Sequence, residues 1–246
     1  MSTGFKGGGV NPRPFVADQR LPFNPETLKT YEAGVKTEFF DRKMRLNGAV
    51  FLNKYEDIIL GKTVCPESSL PTPCLRPANI GTADVKGAEL ELSVFPMRGL
   101  TFDASYSYLD FEYTSATTAD GLLAGTDIPA SGITPYTPKT QWSFGGQYDY
   151  DTTLGTFSTR IDGSYQGKLF TNAENTSWGT VDGRFLANLR LSWSDPMAKW
   201  RASFEVQNLF DKYYYTSVSD VTTSLGLVTG VPGLPRTYAA SIERRF

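Results

Sequence analysis

The sequence predicts an all-β fold, an antiparallel up-and-down transmembrane β-barrel, and three observations carry that reading. Apolar and polar residues alternate in short runs through most of the chain. The connections between the runs are short and long in strict turn. The final run closes on an aromatic residue, Phe246, with Tyr238, Ala240 and Ile242 on its apolar face (only Arg244 interrupts it). Its other face is Thr237, Ala239, Ser241, Glu243 and Arg245. Successive side chains of a strand point to opposite faces, so this segment has one side for oil and one for water.

Earlier runs repeat the pattern in chain order. Tyr31, Ala33, Val35 and Phe39 oppose Glu32, Gly34, Lys36 and Glu38. The segment 43–55 is a strand by its flanking turns and β-formers, although its two faces are less cleanly sorted. Ala88, Leu90, Leu92 and Val94 then oppose Gly87, Glu89, Glu91 and Ser93. Next, Phe102, Ala104, Tyr106 and Tyr108 oppose Thr101, Asp103, Ser105 and Ser107. Trp142, Phe144, Tyr148 and Tyr150 oppose Gln141, Ser143, Gln147 and Asp149, and Phe157, Ile161 and Tyr165 oppose Ser158, Arg160, Asp162 and Ser164. Phe185, Ala187, Leu189, Leu191 and Trp193 come next, then Trp200, Ala202, Phe204 and Val206.

Short turns are expected at 40–42, 95–99, 151–155 and 194–199, and long polar loops at 7–27, 56–84, 111–139, 166–181 and 212–236. An up-and-down barrel with short periplasmic turns and long extracellular loops has this rhythm, whereas a sandwich mixes spacings and crossovers. In that orientation Trp193 and Trp200 flank a periplasmic turn, and Tyr106 and Tyr108 reach the outer interface.

Composition agrees. The chain has 246 residues, 13% of them aromatic, and a net charge of −2. Its mean hydropathy is −0.29, with no run of the roughly 18 apolar residues that a transmembrane helix needs. Barrel strands escape such a scan because their two faces alternate. The near-neutral charge gives no reason to expect nucleic acid as a partner. Histidine is absent, which removes the commonest general base and metal ligand. No nucleophile–base pair or metal-ligand spacing is present, so no catalysis and no cofactor are expected.

Several residues invite sharper readings that their surroundings do not support. Glu89 and Glu91 share a face, which suits a wall looking into water better than a catalytic carboxylate pair. Gly4 to Gly9 lacks the strand, Lys-Ser/Thr pair and helix of a phosphate loop. Asn175-Thr176-Ser177 matches a glycosylation sequon but reads as plain loop, and Arg160, Arg190 and Arg201 read as arginines of a wide polar lumen. Cys65 and Cys74 lie in one Pro-rich stretch, and in an exported protein they are candidates for a loop-closing disulfide.

Five segments, in order, resemble one family. They are Gly4-Phe5-Lys6-Gly7-Gly8-Gly9-Val10-Asn11, then Asn24-Pro25-Glu26 with Tyr31-Glu32-Ala33-Gly34-Val35-Lys36, and Asn79-Ile80-Gly81 leading to Lys86-Gly87-Ala88-Glu89-Leu90-Glu91. The last two are Asn208-Leu209-Phe210-Asp211-Lys212-Tyr213-Tyr214 and Gly233-Leu234-Pro235-Arg236-Thr237-Tyr238 running on to Phe246. Together they are similar to the C-terminal barrel of TonB-dependent outer-membrane receptors of the siderophore type.

The resemblance implies residence in the outer membrane of a Gram-negative bacterium, in contact with its lipid. It implies TonB and a ferric siderophore or similar large nutrient as partners of the parent receptor. It makes Tyr238, Ala240, Ile242 and Phe246 a C-terminal signature for the barrel-assembly machinery, and the loops 111–139 and 212–236 contributors to ligand recognition. Family barrels have about 22 strands around a plug. Residues 1–246 are therefore expected to be a partial barrel domain of about nine or ten strands, without plug, TonB-interacting segment or signal peptide. A self-contained small barrel acting as a porin or adhesin is one alternative, and a soluble β-sandwich binding module is another.

Overall fold

The computed structural model describes residues 1–14, 17–62, 76–222 and 226–245. Cys65, Cys74 and Phe246, and with them the expected disulfide and terminal aromatic, lie outside the described residues. The elements are β1 (Ser2–Lys6), β2 (Glu26–Phe39), β3 (Met44–Lys62), β4 (Arg76–Met97), β5 (Leu100–Tyr113), β6 (Thr140–Thr152) and β7 (Gly155–Gln166). Then come β8 (Leu169–Phe170), β9 (Thr180–Val181), β10 (Arg184–Ser194), β11 (Trp200–Gln207), β12 (Tyr215–Val221), β13 (Leu227–Pro232) and β14 (Thr237–Arg244).

Ten strands form one antiparallel sheet in the order β1-β2-β3-β4-β5-β6-β7-β10-β11-β14. Each strand pairs with the next in sequence apart from two small hairpins, β8–β9 and β12–β13, set into the loops. This is the up-and-down meander that the loop rhythm predicts. No second sheet packs against it among the described residues, so it is not a sandwich. No described helix is long and apolar enough to cross a membrane, which says nothing of a β-barrel.

Register turns ten amphipathic segments into one two-sided wall. Directly paired residues share a face, and one row runs Val35, Gly48, Leu90, Tyr106, Trp142, Tyr165 and Phe185. The neighbouring row, on the opposite face, runs Lys36, Asn47, Glu91, Ser105, Ser143 and Ser164. The apolar face is open: Val35 is 56% exposed, Leu90 48% and Ile161 45%. Hydrocarbon supplies the burial that this protein does not. Backbone donors and acceptors are spent in the ladders, which is what makes a strand tolerable in lipid.

The polar face is braced by its own side chains. The Arg160 guanidinium lies 2.6 Å from Asp162 and 3.1 Å from Asp103, and Arg190 sits 3.2 Å from Glu205. Serine hydroxyls bond across strands, Ser105 to Ser143 at 2.7 Å and Ser203 to Ser241 at 2.8 Å. Asn47 donates to Glu91 at 3.1 Å, so that carboxylate is a wall residue, as expected. A glycine at 87, on the polar face, would be expected to leave room in the lumen, but that space is filled from the neighbouring strand. The Phe51 ring lies where a Cβ at position 87 would be.

The sheet is taller than the alternation indicates. The segment 56–84 is not a single loop, because β3 runs on to Lys62 and β4 begins at Arg76. A break in register between Tyr55 and Ile58 flips the pattern there, with Asp57 at φ 57°. Asn79 holds this bulge by donating to the carbonyls of Asp57 and Asn24 at 2.8 and 3.0 Å. Likewise β5 extends to Tyr113, and the loops 166–181 and 212–236 contain the two hairpins.

Two aromatic bands mark the membrane. Trp142 stacks on Tyr165 with centroids 5.4 Å apart, Phe185 lies 5.5 Å from Trp142, and Phe210 6.2 Å from Phe185. This is the outer band. At the other end Trp193 donates its indole N–H to Leu154 O at 2.9 Å, and Arg244 lies over Trp200. That turn is tight: Gly155 adopts φ 122°, and a side chain there would run into Ser194 O.

Candidate ligand-facing surface

The long loops lean over the polar face and pack on one another. Leu123 and Ile128, both in the 114–139 loop, are the largest fully buried side chains of the described residues. They form a small core with Ile58, Ile80, Ala83 and Tyr113 from the outer ends of β3–β5 and Ala173 from the next loop. Loop residues Thr134 and Thr137 face Asn53, Tyr55 and Phe111 across a cleft, which places the loop on the side of the polar wall.

Side-chain clamps then join loop to loop. Asn175, at φ 51°, accepts from Ile133 N at 2.7 Å and donates to Ile133 O at 2.9 Å. Its amide nitrogen is thus engaged, and the sequon is a structural clamp rather than plain loop. Thr176 donates to Asp220 at 2.5 Å, tying the β12–β13 hairpin to the same loop.

Burial works to raise the Asp220 carboxyl, but the hydroxyls of Thr176 and Thr222 and the Thr222 N–H outweigh it and hold it below the ordinary carboxylate range. A depressed folded value means that the stabilisation is present above the unfolded carboxyl value of about 3.9 and disappears as pH falls through the folded one. Protection of hairpin amides in hydrogen exchange is therefore expected to be constant from neutral pH to about 5 and to drop below about 4. In Asp220→Asn it is expected to be low throughout.

The base of the last loop is fixed by the Asn208–Tyr214 segment. Asn208 is buried, and its side chain donates to Lys212 O at 2.9 Å and Leu234 O at 3.1 Å while accepting from Lys212 N at 2.8 Å. Asp211 accepts from Arg236 N at 2.9 Å. Both are turn formers in the left-handed region, as their residue types predict.

Above this clip, the loop and the β8–β9 hairpin enclose a cleft. Trp178, Tyr213 and Tyr215 line it with Arg184 and Lys212, and Asp182 stands at its edge. Trp178 is 66% exposed and Tyr213 69%, large aromatic areas for residues outside the membrane. Tyr213 donates to the Tyr215 hydroxyl at 3.2 Å, and this bond holds its phenol above the ordinary value, so it remains a neutral donor. Arg184 is steered by Tyr215 O at 3.1 Å and Gln166 at 3.2 Å and lies 4.8 Å over the Tyr214 ring. It also borders a hollow of the polar wall shared by Glu89, Ser105 and Gln141. The cleft thus opens onto the lumen side.

Sequence reasoning named the loop 212–236, and Lys212 and Tyr213 only within the family segment that opens it, but not Trp178, Arg184 or Tyr215. Trp178, in a loop with no periodicity, carried no signal. Tyr238, Ala240 and Ile242 stand on the apolar face of β14, as predicted, with Tyr238 62% and Ile242 78% exposed. No group of acidic, cysteine or histidine side chains able to hold a metal exists among the described residues.

Ten meandering strands, apolar outside and polar inside, banded by aromatics and topped by packed loops, are the wall of an outer-membrane β-barrel. Residues 2–209 match the family described as TonB-dependent receptor-like, β-barrel, and the chain belongs to that family. Among curated relatives, it is 24% identical over 218 residues to the probable TonB-dependent siderophore receptor PiuA of Acinetobacter baumannii, covering 85% of this chain and 26% of that protein. It is 28% identical over 201 residues to the ferrichrome outer membrane transporter/phage receptor of Escherichia coli K12, covering 79% and 24%.

Among solved structures, the ferric yersiniabactin uptake receptor FyuA of Yersinia pestis superposes with a TM-score of 0.80 at 20% identity, over 100% of this chain and 34% of that one. The ferripyoverdine receptor of Pseudomonas aeruginosa gives 0.68 at 22%, over 98% and 30%. The chain therefore spans about a quarter of the length of these curated relatives. Barrels of this family lie in the outer membrane of Gram-negative bacteria, and this chain has their fold and location.

Proposed function

We propose that this chain serves a TonB-dependent receptor for a ferric siderophore or a similarly large iron chelate, contributing a section of barrel wall and part of the ligand mouth. The observation that carries the reading is the cleft of Trp178, Tyr213, Tyr215, Arg184 and Lys212, open to the lumen side in a chain of this family. Aromatic faces and fixed cations suit a bulky anionic chelate, which offers flat apolar area and charge together. TonB supplies the energy coupling in this reading, and the apolar face of β14, with Tyr238, Ala240 and Ile242, serves barrel assembly together with the terminal residue Phe246 of the sequence. A porin or adhesin role has no comparable feature behind it.

The test is a titration of the intact outer-membrane receptor with a panel of ferric siderophores, read by indole quenching and then by iron-dependent growth. At least one chelate should quench the fluorescence saturably, and Trp178→Ala combined with Tyr213→Ala should weaken its binding by about tenfold or more. Undiminished binding and uptake in that variant would remove the cleft from the account.

A further inference from the structure

We propose that the Tyr213 and Tyr215 phenols bind the ferric ion of the incoming chelate directly, so that the mouth selects tetradentate chelates whose iron keeps two adjacent coordination positions open. This rests on the cleft being the ligand mouth, and it names the class of ligand admitted there.

The two hydroxyls converge. Tyr213 and Tyr215 stand where the chain enters β12, and their rings meet edge to face with centroids 5.5 Å apart. Their oxygens are 3.2 Å from each other. In an octahedral complex with metal–oxygen bonds of about 2 Å, adjacent oxygens are about 2.8 Å apart. A pair at 3.2 Å therefore needs to close by only about 0.4 Å to grip one ion from the same side. Phenolate oxygen is a ligand that proteins use for iron, as in tyrosine-ligated haem.

The arrangement is built into the loop. Tyr213 is 69% exposed and Tyr215 41%, so water could satisfy both hydroxyls and burial does not force them together. Gly230 reserves the place of the Tyr215 ring, which lies 2.6 Å from where a Cβ at that position would be. Tyr213 follows directly on Lys212, whose N–H and carbonyl are both held by the buried Asn208 side chain. Arg184 donates to Tyr215 O at 3.1 Å and borders the same cleft as Lys212.

Ligation is an exchange of oxygens at the metal. Each phenol releases its proton to solvent and its oxygen displaces one water from the iron. Two metal–oxygen bonds form, two break, and the ion stays ferric. A bound cation of high charge removes such a proton outright. The two negative charges added to the complex fall beside Arg184 and Lys212, and the Trp178 ring remains to cover the apolar part of the chelator. A hexadentate chelate has no position to give up to the phenols.

The intact outer-membrane receptor tests this with two probes, ferric nitrilotriacetate, which is tetradentate, and ferric desferrioxamine, which is hexadentate. Each is titrated by indole quenching while the visible spectrum is followed for phenolate-to-iron charge transfer. Ferric nitrilotriacetate is expected to bind saturably and raise that band, and ferric desferrioxamine to raise none. Tyr213→Phe and Tyr215→Phe keep the rings and so the hairpin. Each should lose the band and weaken binding of ferric nitrilotriacetate by at least about tenfold, the lower bound for groups that only support a metal ligand. Trp178→Ala should need more of the chelate to saturate and still reach the same band. Saturable quenching without a charge-transfer band, or a band that survives in the double Phe variant, overturns direct ligation and leaves the cleft as the mouth. Absence of quenching by any ferric chelate overturns both.

Discussion

Ile161→Arg is expected to destabilise the folded protein in lipid by about 2–4 kcal/mol, the cost of a cation at mid-depth on the lipid face of a barrel. Ile161 sits midway along β7 in a row with Gly146 and Leu189, on the apolar face, and no polar group of that row can receive a guanidinium. Three residues on, Ser164 points the other way, beside Ser143 on the polar wall. Ser164→Arg should shift stability by no more than about 0.5 kcal/mol. Denaturant unfolding in vesicles reads both. The contrast between neighbouring positions matters more than either value, because a general intolerance of arginine would make them alike.

Leu123→Ala should cost about 2–5 kcal/mol in the stability of the loop body, since it empties a site with no exposed surface. The loss is expected to stay local. Leu123 packs with Ile128, Ile58, Ile80 and Tyr113, not with the membrane-spanning part of the wall. Hydrogen exchange should show residues 114–139 opening while the β6–β7 and β7–β10 ladders keep their protection. Binding at the mouth should weaken in parallel, because Asn175 couples this loop to the one that carries Trp178.

The spanning part of the fold was legible because lipid enforces a period of two. Trp142, Phe144 and Tyr148 against Gln141, Ser143 and Gln147 is a pattern that no turn or helix produces. Above the membrane that constraint ends, and the alternation loses its meaning. The bulge at Tyr55–Ile58 reverses the alternation, which made the tops of β3 and β4 look like loop. Leu123 and Ile128 are buried by contacts from distant strands, and nothing local distinguishes them from Leu122, which remains partly exposed. The β12–β13 hairpin alternates too briefly to stand out within a polar segment. The motif at Asn208 was legible as a turn, but its reach to Leu234 across the loop needed three dimensions.

The central claim is that one continuous face of this sheet meets lipid and the other meets water. It is tested most directly by single cysteines along β6 in a background with Cys65 and Cys74 replaced by serine. Cysteines at Trp142, Phe144 and Tyr148 should be reached by a lipid-dissolved quencher of an attached probe and shielded from a membrane-impermeant maleimide. Those at Gln141, Ser143 and Gln147 should give the opposite result. Reactivity that is uniform along the strand, or that keeps any period other than two, would contradict the account.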